Sequence, residues 1–306
     1  MASIFIVLTG AVVRVTGSGL GCPTWPACES GSLTTTPALG IHGLIEFGNR
    51  MLTGALILTV GWAIVAARLQ RFRNRMLTRL AWSQFWLVVV NSIAGGVSVL
   101  TGLNPYVVAM HFLLAMALLT ATTLTWHRAR QAIAVADESV PAGTAQSAGT
   151  ALERTAGWVL LCGTLALVVL GTLVTGSGQH SGDSALVPRM NFVWSQMTVA
   201  HGVLGVLVLV VAIILLASLR RRPDAFLARR RAYAFLAITL AQAAVGVIQV
   251  NTGVPAALVA LHVLGSALVW VGVLRLLLDL NPSLLSALTP TMAGPAAPRG
   301  LPTSNL

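Results

Sequence analysis

Four histidines in this sequence fall into two matched pairs. His42-Gly43 recurs as His201-Gly202 at an offset of 159, and the tetrapeptide VAMH ending at His111 recurs as VALH ending at His262 at an offset of 151. A lone histidine in an apolar helix is ordinarily a packed residue hydrogen-bonded to a neighbour. Two imidazoles facing each other across a helical bundle are instead the arrangement that ligates a haem iron axially, with apolar helices as the cradle of the macrocycle. Zinc fits less well, because no Cys or carboxylate completes a tetrahedral set in the second half.

The stretch Ile41 to Gly54, IHGLIEFGNRMLTG, adds further polar groups to an apolar segment. On a helix His42, Glu46 and Asn49 share one face. Ionisable groups in hydrocarbon cost several kcal/mol each, so the cluster marks a candidate functional site. Position 205, which matches Glu46 in the second half, is Gly205. An acid present in only one half is a candidate proton-handling or charge-stabilising group; the alternative is an ion pair with Arg50, one turn on. Arg14, Arg50 and Arg189 suit propionate binding, since guanidinium matches carboxylate bidentately, and a membrane-interface role fits Arg14 and Arg189 equally. Cys22 and Cys28 bracket the loop GCPTWPAC. A disulfide is the plain reading, with a redox-active disulfide and a metal site left open. Cys162, alone in a later apolar run, reads as a small core residue. The Ser, Thr and Gly of the two TGSG runs read as helix-end and turn residues rather than ligands.

The composition dictates what positions these groups. Of 306 residues 56% are hydrophobic and 9% charged, far from the roughly 25% charged residues of soluble domains. Apolar runs near 41–67, 77–100, 105–126, 155–175, 194–218, 231–250 and 255–278 each match the ~20 residues that cross a bilayer. With residues 1–13 they predict eight helices. That first run reaches only roughly 20 Å against a hydrocarbon core of ~30 Å, and it lacks the features of a signal peptide. The expectation is a first helix that begins upstream of residue 1. The net charge of +11 comes from arginines, with no lysine. They concentrate in short loops between apolar runs, which the positive-inside rule explains, whereas nucleic-acid binding would need a basic, aromatic-laced patch. The basic loops at 68–79, 128–130 and 220–231, and by parity both termini, are expected in the cytoplasm.

Val15-Thr16-Gly17-Ser18-Gly19 recurs as Val174-Thr175-Gly176-Ser177-Gly178, and Thr101-Gly102 as Thr252-Gly253. Together with the histidine anchors this predicts a parallel duplication. The expected fold is an all-α membrane protein of eight transmembrane helices in two duplicated four-helix bundles. Its parts are an N-terminal half at 1–127, a cytoplasmic linker at 128–154, a C-terminal half at 155–279 and a disordered tail at 280–306.

GAVVRVTGSGLGCPTWPAC, IEFGNR, VAMH, VTGSG and VALH, in this order from residue 10 to about 278, resemble the heme A synthase family. The resemblance implies a multi-pass oxidoreductase of the bacterial plasma membrane. Its reaction would be oxidation of the C8 methyl of haem O to the formyl of haem A, for cytochrome oxidase assembly. It implies a haem b between His201 and His262 in the C-terminal half. The N-terminal half would receive haem O as substrate, with Glu46 catalytic, His111 as an iron ligand and Cys22 and Cys28 as the outer-loop pair. Many members read Glu-x-x-His-Arg where this chain reads Glu46-Phe47-Gly48-Asn49-Arg50, and an amide is a poor iron ligand. The internal offset nominates His42 with His111 as the substrate-side pair; His111 as sole ligand, with an open iron position, is the other reading. The partners implied are the synthase that supplies haem O, an electron donor of unknown identity and the lipid bilayer, and a homo-oligomer is compatible. Two other classes compete: a di-haem b electron-transfer subunit, and a duplicated transporter without haem.

Overall fold

The computed structural model describes residues 1–70, 74–136, 148–180, 182 and 187–284. Its helices are α1 Ala2–Val15, α2 Gly40–Arg68, α3 Arg75–Leu100, α4 Pro105–Ala136, α5 Ala151–Ser177, α6 Trp194–Arg220, α7 Phe226–Asn251 and α8 Ala256–Leu280. Seven of them, α2 to α8, are long and apolar enough to cross a membrane, and α1 is a shorter apolar helix. Among the described residues there is no strand, only an isolated bridge between Glu29 and Ser32 in the connection between α1 and α2. The chain is an all-helical, multi-pass membrane protein.

Two helix ends show how the repeated turns work. α3 stops at Thr101-Gly102-Leu103 and α7 at Thr252-Gly253-Val254. In each the glycine has a positive φ (60° and 76°), and so does the bulkier residue after it (59° and 57°). The Leu103 N–H then reaches back to the Ser98 carbonyl at 2.7 Å and the Val254 N–H to that of Gln249 at 2.8 Å. These bonds satisfy carbonyls that the helix ends leave without partners. At the other end of the bundle, Thr150 and Glu153 form a capping box on α5. Glu153 is fully buried and also accepts from Arg222 at 2.7 Å and Ser218 at 3.0 Å.

The larger apolar core joins α1 and α4 to α5–α8, through Val7, Met116, Leu119, Leu160, Leu215, Phe235 and Val273 among others. A smaller one, with Leu56, Val60, Ile64, Ala81, Val88 and Leu118, holds α2, α3 and α4 together. Trp270 of α8 donates its indole N–H to the Met116 carbonyl and the Thr120 hydroxyl of α4.

Two expectations change. α4 continues to Ala136 and α5 starts at Ala151, so helix extends into both ends of the expected linker, where Ala-rich sequence propagates a helix already nucleated. Residues 137–147 of that linker and 285–306 of the expected tail lie outside the described residues. Cys162, expected in the core, is exposed on α5; a small apolar side chain on the exposed face of an apolar, spanning-length helix needs no protein cover.

Candidate functional site

The clearest assembly is formed by His201 of α6 and His262 of α8, whose ring centroids lie 6.3 Å apart at an interplanar angle of 60°. Each ring lies against a glycine of the preceding helix. A Cβ on Gly171 of α5 would stand 3.3 Å from Cε1 of His201, and one on Gly246 of α7 would stand 3.6 Å from Cε1 of His262. Small residues at such contacts let helices, or here a ring and a helix, approach closely. The Nδ1 atoms of both rings are buried and make no hydrogen bond, a costly condition for a polar atom with no ligand to serve. Two imidazoles on one metal, with bonds of about 2 Å, have centroids about 6 Å apart. These residues therefore fit a shared iron.

His111 of α4 repeats the pattern. A Cβ on Gly95 of α3 would stand 3.2 Å from its Cε1, and its Nδ1 is also buried without a hydrogen bond. Gly95 matches Gly246 at the same offset that relates His111 to His262. The backbone carbonyls of Asn91 and Leu167, each one turn before the glycine, lie near the rings of His111 and His201 without a well-formed hydrogen bond to Nδ1. Carbonyls in that position orient the imidazoles of metal sites.

His42 departs from it. The position matching Gly171 is Val12, and His42 is an exposed residue whose Nδ1 hydrogen-bonds the Ser18 hydroxyl of the first TGSG turn at 2.9 Å. Among the described residues His42 and His111 form no ring contact of the kind made by His201 and His262. Asn49 faces α1, where its Oδ1 accepts from the Thr9 hydroxyl at 2.8 Å. The shared helical face of His42, Glu46 and Asn49 thus meets three different structures.

Glu46 meets the disulfide loop. Cys22 and Cys28 are bonded and fully buried. Glu46, 5% exposed, accepts from the Cys22 N–H at 2.6 Å through Oε2 and from Arg50 at 2.6 Å through Oε1. Arg50 donates onward to the carbonyls of Cys22, Thr24 and Ala27 at 3.2, 3.0 and 3.1 Å. The loop is wrapped around a buried ion pair, with its backbone acceptors turned inward to the guanidinium. Trp25 extends from it to α3, where a Cβ on Gly96 would run into the indole. Gly95 under His111 and Gly96 under Trp25 are therefore adjacent notches, and the loop reaches the surroundings of the third histidine. The Gly95-Gly96 doublet was the available signal for this contact. Nothing local to Trp25 pointed to α3.

Arg14 donates to the carbonyl of His180, in the connection after α5, at 2.7 Å and to that of Thr175, in the last turn of α5, at 3.2 Å. Arg189 donates to the Gln179 carbonyl at 3.1 Å. Arg14 thus ties α1 to the end of α5 and its following connection, and Arg189 bonds within that connection.

Helices of spanning length and imidazoles backed by glycine define a polytopic membrane protein with sites suited to iron. Residues 1–274 match the COX15-CtaA family, described as cytochrome oxidase assembly proteins, and the chain belongs to that family. It is 30% identical over 110 residues to a heme A synthase of Geobacillus thermodenitrificans, covering 36% of this chain and 33% of that one. It is 31% identical over 124 residues to one from Alkalihalophilus pseudofirmus, covering 40% and 41%. A heme A synthase of Listeria welshimeri is 33% identical over 108 residues, 35% of each chain. The matched stretches thus span well under half the length of these relatives.

Proposed function

We propose that this protein is a membrane oxidoreductase that converts the C8 methyl of haem O to the formyl of haem A. The observation that carries the reading is the imidazole pair His201–His262 at 6.3 Å, in a chain whose relatives bear the name Heme A synthase. In this reading α1 joins seven longer spans to make eight crossings, in two halves related by duplication, with both termini in the cytoplasm.

His201 and His262 hold a haem b, which when bound supplies reversible one-electron iron chemistry. Gly171 and Gly246 leave room for their rings, and the apolar helices exclude water. His111 binds the substrate iron on the N-terminal side. Its glycine backing and unbonded Nδ1 support that role, whereas Val12 and the Ser18 hydrogen bond count against His42 as its partner. His111 as sole protein ligand is therefore favoured over the His42–His111 pair. The methyl is oxidised in two two-electron stages through the alcohol. The first gains an oxygen atom, either from water with release of two electrons and two protons or from dioxygen with two electrons supplied by a donor. The second takes the alcohol to the formyl with loss of two further electrons and two protons. Glu46 stabilises positive charge or takes up protons beside the substrate, work suited to a carboxylate in a low-dielectric site. Its bonds to Arg50 and Cys22 support a second role, holding the disulfide loop closed.

The test is to purify the full chain, extract its haems for chromatography and record a visible spectrum. Haem b together with haem O or haem A supports the proposal. Two haem b groups per chain and nothing else would make it an electron-transfer subunit, and a colourless protein would overturn every haem reading.

A further inference from the structure

At the end of the bundle opposite the histidines, α4, α7 and α8 gather guanidinium groups around one indole. Arg275 of α8 lies with Cζ 4.5 Å from the Trp126 ring centroid, and Arg130 of α4 lies 5.2 Å from the same ring. Arg231, in the second turn of α7, contacts Asp279 of α8 at 3.1 Å. Arg128 donates to Gln131 at 3.2 Å, and Gln131 also contacts His127 at 3.0 Å. Asp279 is the one carboxylate in this group among the described residues, against four arginines. The Nε atoms of Arg128 and Arg275 are buried and make no hydrogen bond.

This is more than a basic loop in water. Arg130 and Arg275 both lie against one aromatic ring, so their like charges are held close, the first exposed and the second half-buried, and they repel each other. A cation over an indole face gains a favourable quadrupole interaction, but that leaves the excess positive charge in place. An anion between the two guanidiniums would relieve it, and guanidinium pairs bidentately with phosphate. The position selects the source. Trp126 is 40% exposed near the end of a spanning helix, where indoles mark the headgroup level of a bilayer. Basic pockets between membrane helices on the arginine-rich side suit anionic headgroups.

We propose that Arg130 and Arg275, which lie against Trp126, bind with the neighbouring Arg128 and Arg231 the phosphate of an anionic phospholipid at the seam between α4 and α8. The site lies about 20 Å along α8 from His262 and does not depend on the haem chemistry.

The test is native mass spectrometry of the full chain released from detergent, titrated separately with phosphatidylglycerol, phosphatidylcholine and inorganic phosphate. One phosphatidylglycerol should be retained per chain in preference to phosphatidylcholine. Its affinity should fall about fivefold for each arginine removed, in Arg130→Gln and in the double variant Arg130→Gln, Arg275→Gln. Arg130 is exposed, so its single variant keeps the test valid if the double one folds poorly. Asp279→Asn should bind phosphatidylglycerol at least as well as the wild type. Equal retention of phosphatidylcholine, equal occupancy by inorganic phosphate, or unchanged binding by the folded variants would overturn the proposal. So would an acidic protein displacing the lipid.

Discussion

The two sets of four helices carry the same landmarks and use them differently. In α5–α8 both histidines rest on glycines and their rings meet. In α1–α4 only His111 does so; His42 is turned to Ser18. Three departures of the first set converge. Glu46, Arg50 and Gly96 stand where the second set has Gly205, Leu209 and Val247, and all three touch the disulfide loop. They behave as one acquired device, a loop with its anchor and its landing site. The lesson concerns Glu46. Its uniqueness to one half argues for chemistry, but the structure also gives it a partner that exists only in that half.

The largest effect should separate the histidines. His201→Ala or His262→Ala is expected to lower haem b retention by more than about 100-fold, since loss even of supporting groups around a metal costs 10–100-fold. His111→Ala should leave that haem in place and abolish haem O conversion. His42→Ala should change either far less. Equal losses in His42→Ala and His111→Ala would break the asymmetry and restore a symmetric pair.

The next effect separates the two jobs of Glu46. Glu46→Ala leaves Arg50 without its buried counter-charge, a change worth about 3–5 kcal/mol in comparable pairs. The disulfide should then become readily reducible, as measured by thiol labelling after mild reductant. Glu46→Gln also removes the counter-charge but keeps one oxygen for the Cys22 N–H, so the loop should be more protected than in Glu46→Ala and less than in the wild type. If Glu46→Gln protects the disulfide and yet converts no haem O, the carboxylate is needed for the reaction itself. Wild-type conversion by Glu46→Gln would reduce Glu46 to a clamp.

Smaller effects should follow the glycines. Gly96→Ala drives a methyl into the Trp25 indole, so the loop should again become reducible while haem b stays bound. Gly95→Ala and Gly171→Ala place a methyl 3.2 and 3.3 Å from the imidazoles, and Gly246→Ala only 3.6 Å. The first two should shift the spectrum of the haem beside them and the third should leave it near wild type. A larger change in Gly246→Ala than in Gly171→Ala would mean that the glycines do not set the ring positions.

Much of this was legible because it depends on period and length. Seven apolar runs became seven spanning helices, and the short spacing of Cys22 and Cys28 became a disulfide. The i to i+4 placement of Glu46 and Arg50 became an ion pair. What could not be read was contact between distant segments: Trp25 on Gly96, the Cys22 amide on Glu46, Arg14 on the far loop. His42 is the instructive case. Matching His42 to His201 compared the histidines and not what they pack against, and Val12 in place of Gly171 was already present in the sequence. A repeat transfers a residue's position, but its environment has to be matched residue by residue as well.

Asn49 gives the smallest expected effect and the finest test of the comparison. Its counterpart is Val208, a buried core residue of α6, so the polar group belongs to the first half alone. Its one described side-chain contact is the 2.8 Å hydrogen bond from Thr9, which ties α2 to α1. Interhelical bonds of this kind average about 0.6 kcal/mol in membrane proteins, so Asn49→Ala should lower thermal stability slightly and leave haem content unchanged. Asn49→His asks the sharper question, because it installs the histidine that the family resemblance places there. If the substrate iron lies within reach of this turn of α2, the new imidazole should ligate it and convert its spectrum to a low-spin, two-histidine type. An unchanged spectrum would mean that α2 presents this turn to α1, and that the open position beside His111 lies elsewhere.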